Sequence, residues 1–250
     1  MKIPKVIHYC WFGMNPLSNK ILKCIASWKK YCPDYQIIEW NESNFDFLSN
    51  QYAAQAYASG KYAFVSDYAR LKIIYEHGGI YLDTDVELLR PIDPLIDGDG
   101  FMAFQNDGMV ATGLGFAAPK HHPVIYALMQ DYQNISFINS DGSYNTIPCP
   151  NRNTSVLYQL GLKKYDGQIQ MLQGLTIYPE EYFSPKDFST GILKKSPNTY
   201  GIHHYHASWV SEQQRAIFAH DRKKAYLKAK LPPRIYSFLE RLWQLFHGKF

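Results

Sequence analysis

Apolar and polar positions along the chain alternate between two rhythms, one of period two and one near 3.6. In PKVIHYCWFG, Val6 to Cys10 form a short β-prone run closed by Trp11, Phe12 and Gly13. SNKILKCIASWKKYCPDY then reads as a helix from Ser18 toward a stop at Pro33, and YQIIEW, residues 35–40, reads as a second strand. Strand, helix and strand in this order predict a parallel sheet with crossover helices, in which nucleotide sites form at the carboxyl ends of the strands. Trp11 therefore stands beside a predicted crevice.

Residues 51–77 carry a helical pattern interrupted at Ser59 and Gly60, and Ala69, Ile73, Ile74 and His77 share one face of the second half. Ser66 is expected to cap that half, which puts Asp67 in its first turn and Arg70 one turn later on the same side. An i,i+3 ion pair on a solvated surface accounts for these two residues as readily as a site does. Further on, FMAFQ and LGFAA read as strands and His122 to Asp131 as a helix. Residues 134–160, rich in Asn, Gly, Pro and Ser, read as irregular, and LTIYPEEYFSPKD as a β-type edge with turns.

Between these segments lies GGIYLDTDVELLR. Ile80, Tyr81 and Leu82 form a β-prone run after a Gly-Gly break, so Asp83 and Asp85 are expected at the carboxyl end of a strand, projecting to the same side. Two carboxylates that close require a cation, a shared proton or a basic partner. Aspartates in a turn would explain them blandly. A calcium loop fails, because Val86, Leu88 and Leu89 occupy positions that need oxygen ligands or glycine. A phosphatase of the haloacid dehalogenase type, with one aspartate as nucleophile and one as acid, is the runner-up, although Glu87 and the motif's distance from the N-terminus depart from its pattern.

Composition narrows the class. At 250 residues with 46% hydrophobic content the chain can bury a large α/β core, and 20 tyrosines provide either core or stacking surface. Cys10, Cys24, Cys32 and Cys149 form no CxxC pair and MKIPKVIHYC has no leader pattern, so reduced thiols and a cytoplasmic location are expected. No run approaches the roughly 18 apolar residues of a membrane-spanning helix. Residues 215–250 hold nine Lys/Arg against two acids, leaving 17 basic and 20 acidic residues elsewhere, so the net charge of +4 belongs to the tail and no nucleic-acid partner is expected. Beyond Pro232-Pro233, Ile235, Phe238, Leu239, Leu242, Trp243, Leu245 and Phe246 follow helical spacing among basic residues. Such a helix suits an anionic membrane interface at the inner face of the cell membrane, or packs on the domain with its basic face solvated.

IHHYHASW, residues 202–209, gathers three histidines, a serine and a tryptophan. Neighbouring histidines on a strand face opposite ways, so only His204 and His206 are expected to share a ligand set. No further zinc motif accompanies them, and a phosphate or nucleotide contact ranks above zinc. A strand whose histidines are merely hydrogen-bonded explains His203 best.

IPKVIHYCWFG, SDYARLKIIYEHGGIYLDTDVELL and HHYHASW together resemble the sugar transferases of glycosyltransferase family thirty-two, which includes bacterial capsular polysaccharide transferases, yeast Golgi mannosyltransferases and relatives of the clostridial glucosylating toxins. The resemblance spans residues 1–210 and is densest over 64–90. It implies an α/β, GT-A type nucleotide-binding sandwich with a mostly parallel central sheet over residues 1–212, followed by a basic amphipathic helical tail, 213–250. It further implies a retaining transfer of a hexose from a nucleotide sugar to a glycan or lipid-linked saccharide, in surface polysaccharide synthesis. Mn²⁺ or Mg²⁺ is the implied cation, and a UDP-sugar is expected ahead of GDP-mannose.

By the same resemblance Asp85 is a direct metal ligand and Asp83 touches ribose and a metal-bound water. Trp11 stacks on the base, with His8 in the neighbouring backbone segment. Asp67 and Arg70 orient the donor sugar, and His206, Ser208 and Trp209 close over metal and diphosphate, His206 as a ligand. The chain departs from the family at ATGLGFAAP, which lacks an asparagine near the sugar, and at TIPCPNRNTSVL, which lacks a Gly-Pro turn, so no sugar specificity carries over. A carbohydrate-binding module without catalysis is the remaining alternative, and would bind glycans without nucleotide.

Overall fold

The computed structural model describes residues 2–206 and 212–247. The chain begins with strand β1 (Val6–Cys10), helix α1 (Asn19–Tyr31) and strand β2 (Gln36–Trp40), and β1 and β2 pair in parallel as the sequence predicts. Ser18 caps α1 by accepting from the Ile21 N–H. Helices α2 (Gln51–Ala58) and α3 (Tyr62–His77) follow, divided at Ser59-Gly60. Lys61, not Ser66, precedes α3, so Asp67 and Arg70 lie in the middle of the helix rather than its first turn, and the Ser66 hydroxyl bonds back to the Tyr62 carbonyl.

Strand β3 (Gly79–Tyr81) starts directly after α3. A side chain at Gly79 would run into the Val6 carbonyl and the His8 ring, so the glycine lets β3 lie close against β1. Then come β4 (Val86–Leu88), β5 (Phe101–Ala103), β6 (Phe116–Ala118) and α4 (Pro123–Gln130). Helix α5 (Cys149–Gln159) occupies a stretch expected to be irregular. Its residues are poor helix formers, and burial of Cys149, Asn153, Thr154 and Leu157 along one face stabilises it instead. The chain continues through β7 (Gln170–Leu172), β8 (Leu175–Tyr178), β9 (Gly201–His203), α6 (Glu212–Lys230) and α7 (Pro233–His247).

The central sheet has the order β2-β1-β3-β6-β5-β8-β7, and β4 pairs with β9 in a separate antiparallel ribbon. Pairings across the sheet set β2, β1, β3, β5 and β8 running one way, with β6 and β7 reversed. β8 is therefore an inner strand, and the edge falls to β7. Strand alternation sorts the core into two layers: Tyr81, Met102 and Phe116 face α2 to α5, while Ile80, Phe101 and Ala117 face α1 and β4. Trp28 of α1, fully buried, donates its indole N–H to the Val86 carbonyl at 2.7 Å and ties the ribbon to the sheet.

In the C-terminal segment α6 and α7 contact each other, with Lys224 3.2 Å from Glu240. Ile217, Leu227, Ile235, Phe238 and Leu239 are exposed. No helix among the described residues is long and apolar enough to cross a membrane.

Candidate active site

Where β3 ends, the chain leaves the sheet and Asp83 and Asp85 enter a cavity of about 880 Å³. Trp11, Tyr62, Arg70, Tyr205 and His206 line the same cavity. The two aspartates face different neighbours. Asp83 looks toward α3: its Oδ1 accepts from the Tyr81 hydroxyl at 2.9 Å and lies 3.4 Å from Arg70. Arg70 in turn holds Asp67 at 2.9 Å, stacks its guanidinium 5.2 Å from the Tyr81 ring centre, and donates to the Ser66 carbonyl. The Asp67–Arg70 pair is thus a buried bridge to the acidic motif, not a surface pair.

Asp85 looks toward β9. His203 Nε2 donates to its Oδ1 at 3.0 Å, the His206 backbone N–H donates to its Oδ2 at 2.8 Å, and the His204 N–H donates to its carbonyl. Ligand atoms of Asp83, Asp85 and His203 all lie within 4.8 Å of one another. The histidine grouped with the two aspartates in this way is His203, which the sequence reads as a hydrogen-bonded strand residue, while His206, the ligand implied by the resemblance, lines the same cavity. The His204 and His206 rings lie on one side, stacked at 5.5 Å, as the sequence predicts, and His204 bonds Glu87; Tyr205 between them has a left-handed φ of 54°.

Charge follows this geometry. Burial pushes Asp67 up to about 6, against the pull of Arg70. Burial also raises Asp83, again opposed by Arg70. For Asp85, burial works upward, but His203 and the His206 N–H overcome it and hold the carboxyl well below the usual range. Burial would lower His203, but the Asp85 carboxylate outweighs it and raises the ring above its ordinary value.

His8 does not join the site. It is buried beneath β3, with Nε2 3.0 Å from the Gly78 carbonyl and Nδ1 accepting from the Trp40 indole at 3.0 Å. Burial pushes it down to about 4, so it is a neutral ring with both nitrogens satisfied, and its carbonyl accepts from Leu82. A nucleotide-binding role for His8 is corrected to a core role. Trp11 does line the cavity, its indole N–H held by the Asn15 carbonyl at 2.6 Å. Ser208 and Trp209 fall outside the described residues.

Several contributors carry no motif. Thr112, Cys149 and Asn153 form a buried polar cluster behind Arg70, with Asn153 donating to the Thr112 hydroxyl at 3.0 Å and to the Cys149 sulfur at 3.1 Å. Arg70 reaches Thr112 at 3.5 Å. A side chain at Gly113 would collide with the Asp83 carboxylate and crowd Arg70. The buried spacing 149, 153, 154 and 157 is the one sequence signal that could have revealed α5.

Residues 18–102 match the family described as glycosyltransferase sugar-binding region containing DXD motif. Inositol phosphoceramide mannosyltransferase 1 of Schizosaccharomyces pombe is 30% identical over 145 residues, covering 55% of this chain and 44% of that protein. Human alpha-1,4-N-acetylglucosaminyltransferase is 39% identical over 67 residues, covering 27% and 18%. This chain thus spans less than half the length of these relatives. Among solved structures, the PaToxG glycosyltransferase aligns with a TM-score of 0.50 at 23% identity, covering 63% of this chain and 68% of that one. The α/β sandwich is of the GT-A type, with its mixed sheet mostly parallel.

Proposed function

We propose that this chain, which carries the DXD-containing sugar-binding region of a glycosyltransferase family in residues 18–102, transfers a hexose from a nucleotide sugar to a saccharide hydroxyl. The observation that carries this reading is the arrangement of Asp83, Asp85 and His203 at one wall of a large cavity, continuous through Asp83 with the buried Arg70–Asp67 pair.

Asp83, Asp85 and His203 would together hold a divalent cation, for which the two carboxylates suit Mn²⁺ or Mg²⁺, and the buried Nδ1 of His203 has no hydrogen-bond partner. Such a cation, when bound, supplies Lewis-acid stabilisation of the departing diphosphate. The chain's own residues do the rest. Trp11 offers a face to the nucleobase. Arg70 and Asp67, locked by Tyr81 and Thr112, present a fixed donor and acceptor to hydroxyls of the donor sugar. In the transfer the bond from the anomeric carbon to the diphosphate oxygen breaks, a bond from that carbon to the acceptor oxygen forms, and the acceptor's proton leaves with the nucleoside diphosphate. Among the described residues the carboxylates that line the cavity, Asp83 and Asp85, are engaged by Tyr81, Arg70 and His203, which supports front-face displacement with retention.

A UDP-sugar is the expected donor ahead of GDP-mannose, and the acceptor is a glycan or lipid-linked saccharide of the kind used in surface polysaccharide synthesis, as the family resemblance suggests. Basic residues and exposed Ile217, Leu227, Ile235, Phe238 and Leu239 on α6 and α7 support peripheral attachment to an anionic, cytoplasm-facing membrane. Removing residues 232–250 is expected to weaken binding to anionic liposomes, and unchanged binding rejects the membrane role.

The deciding test of the transferase reading is release of UDP or GDP from a panel of nucleotide sugars, with Mn²⁺ and with EDTA. Turnover of one donor that needs the cation and disappears in Asp85→Ala supports it. If no nucleotide sugar binds in the presence of Mn²⁺, the reading fails.

A further inference from the structure

The cavity at the acidic pair has a second wall built from chain outside the matched region. Phe188, Tyr205 and, from α6, Phe218 line it together with Asp85 and His203. Phe188 is 54% exposed and Phe218 39% exposed, and with Tyr205 they form an aromatic face on the wall of the cavity. Phe188 and Tyr205 are anchored by their neighbours. The Phe188 ring meets Tyr205 edge-on at 5.2 Å, and the Tyr205 ring meets His203 at 4.2 Å. The Tyr205 hydroxyl lies 2.6 Å from the Ser184 hydroxyl, which donates to Asn106. Arg222 of α6 sits 5.9 Å from the Phe188 ring centre and presses so close to Gly191 that a side chain there would overlap it.

Contacts therefore run in two directions from the aspartates. From Asp83 they lead through Arg70 to Asp67, a polar and buried pocket. From Asp85 they lead through His203 and Tyr205 to Phe188, an aromatic and open one. A buried ion pair with fixed donors suits a small polar ring held in one orientation, whereas an exposed aromatic face suits the apolar C–H face of a pyranose that enters and leaves from solvent. The attacking hydroxyl must come within about 3.5 Å of the anomeric carbon, so its sugar has to lie against the cavity wall beside the acidic pair.

The geometry points to Phe188, Tyr205 and Phe218 as the acceptor subsite, an aromatic platform that stacks on the terminal sugar ring of the acceptor, with α6 forming part of the active site rather than a detached tail. This rests on the transferase reading above. It makes Phe188 and Phe218 specificity-determining residues that no nucleotide contact requires.

Saturation-transfer NMR on the full chain tests it, with UDP and Mg²⁺ present and methyl glycosides of galactose, glucose and mannose as probes. At least one glycoside should receive saturation from the wild type. Phe188→Ala and Phe218→Ala should each weaken that glycoside about ten-fold, while UDP affinity stays within about two-fold of wild type. Phe188→Trp should restore binding, because it keeps an aromatic face. Glycoside binding that is absent from the wild type, or undiminished in both alanine variants, overturns the platform, as does a parallel loss of UDP affinity. Failure of the wild type to bind either UDP or GDP with Mg²⁺ or with Mn²⁺ is a distinct result, and it removes the transferase reading instead.

Discussion

Two histidines flank the strand that delivers the acidic pair, and their surroundings give them opposite characters. His8, beneath β3, meets an indole N–H and a carbonyl, one donor and one acceptor, so its neutral ring is fully used and burial drives its proton away. His203, at the end of β9, meets a carboxylate on one nitrogen and has no hydrogen-bond partner on the other, and that carboxylate raises its proton affinity against the same tendency of burial. The difference teaches that partners, rather than depth, decide whether a buried histidine is structural or available for chemistry.

Exchanging the partners gives the largest expected effect. Asp85→Asn removes the charge that holds His203 and one of the three candidate ligands, and should lower donor turnover by about 10³-fold. The release assay described above reads it, and turnover near wild type would dissolve the contrast between the two histidines. Next come His203→Ala and His8→Leu. The first should reduce turnover or cation affinity by about 10- to 100-fold and, because Asp85 loses its buried partner, also lower the unfolding free energy. The second should leave the Trp40 N–H and the Gly78 carbonyl unpaired and destabilise the fold by about 2–4 kcal/mol in urea titrations, while the remaining folded protein keeps its affinity for UDP.

The pH dependence of stability should run in opposite senses. For His8 the folded value near 4 lies below the unfolded value near 6.5, so the unfolded state binds the extra proton and stability is lost as pH falls across that window, by up to about 3 kcal/mol. His203 has a raised folded value, so its contribution is complete below the unfolded value and is lost as pH rises through the folded one. Urea midpoints at several pH values for wild type and His8→Gln measure this, and an unchanged acid slope in the variant would assign the slope to other groups. The smallest effect is expected from Gly113→Ala, which crowds Asp83 and Arg70. It should cut turnover about ten-fold and stability by about 1–2 kcal/mol, with His8 and its partners untouched.

Much of this site was legible because its parts are close in sequence and obey one period. Asp67 and Arg70 share a helix face, the Gly-Gly break ends that helix, and Asp83 and Asp85 follow three apolar strand residues. What escaped was long-range or irregular. Helix α5 is written in residues that favour loops and exists because Cys149, Asn153 and Leu157 find a core to enter. His203 escaped because it reaches Asp85 through the β4–β9 ribbon, in which it pairs with Val86, a partnership that no local spacing reveals. His8 looked like a site residue because its segment adjoins Trp11, yet successive residues of β1 face different layers.

The sequence by itself determined the β-α-β beginning, the acidic pair at a strand end, the α3 ion pair and the basic apolar tail, since each depends on local periodicity and local charge. Only the tertiary structure decided which histidine meets the acids, that Arg70 joins Asp67 to Asp83, and that α6 turns Phe218 into the cavity. The Arg70 bridge depends on how β3 docks beside α3, and the other two on packing between parts of the chain more than a hundred residues apart, where the free energy of burial selects the partners that near neighbours leave open.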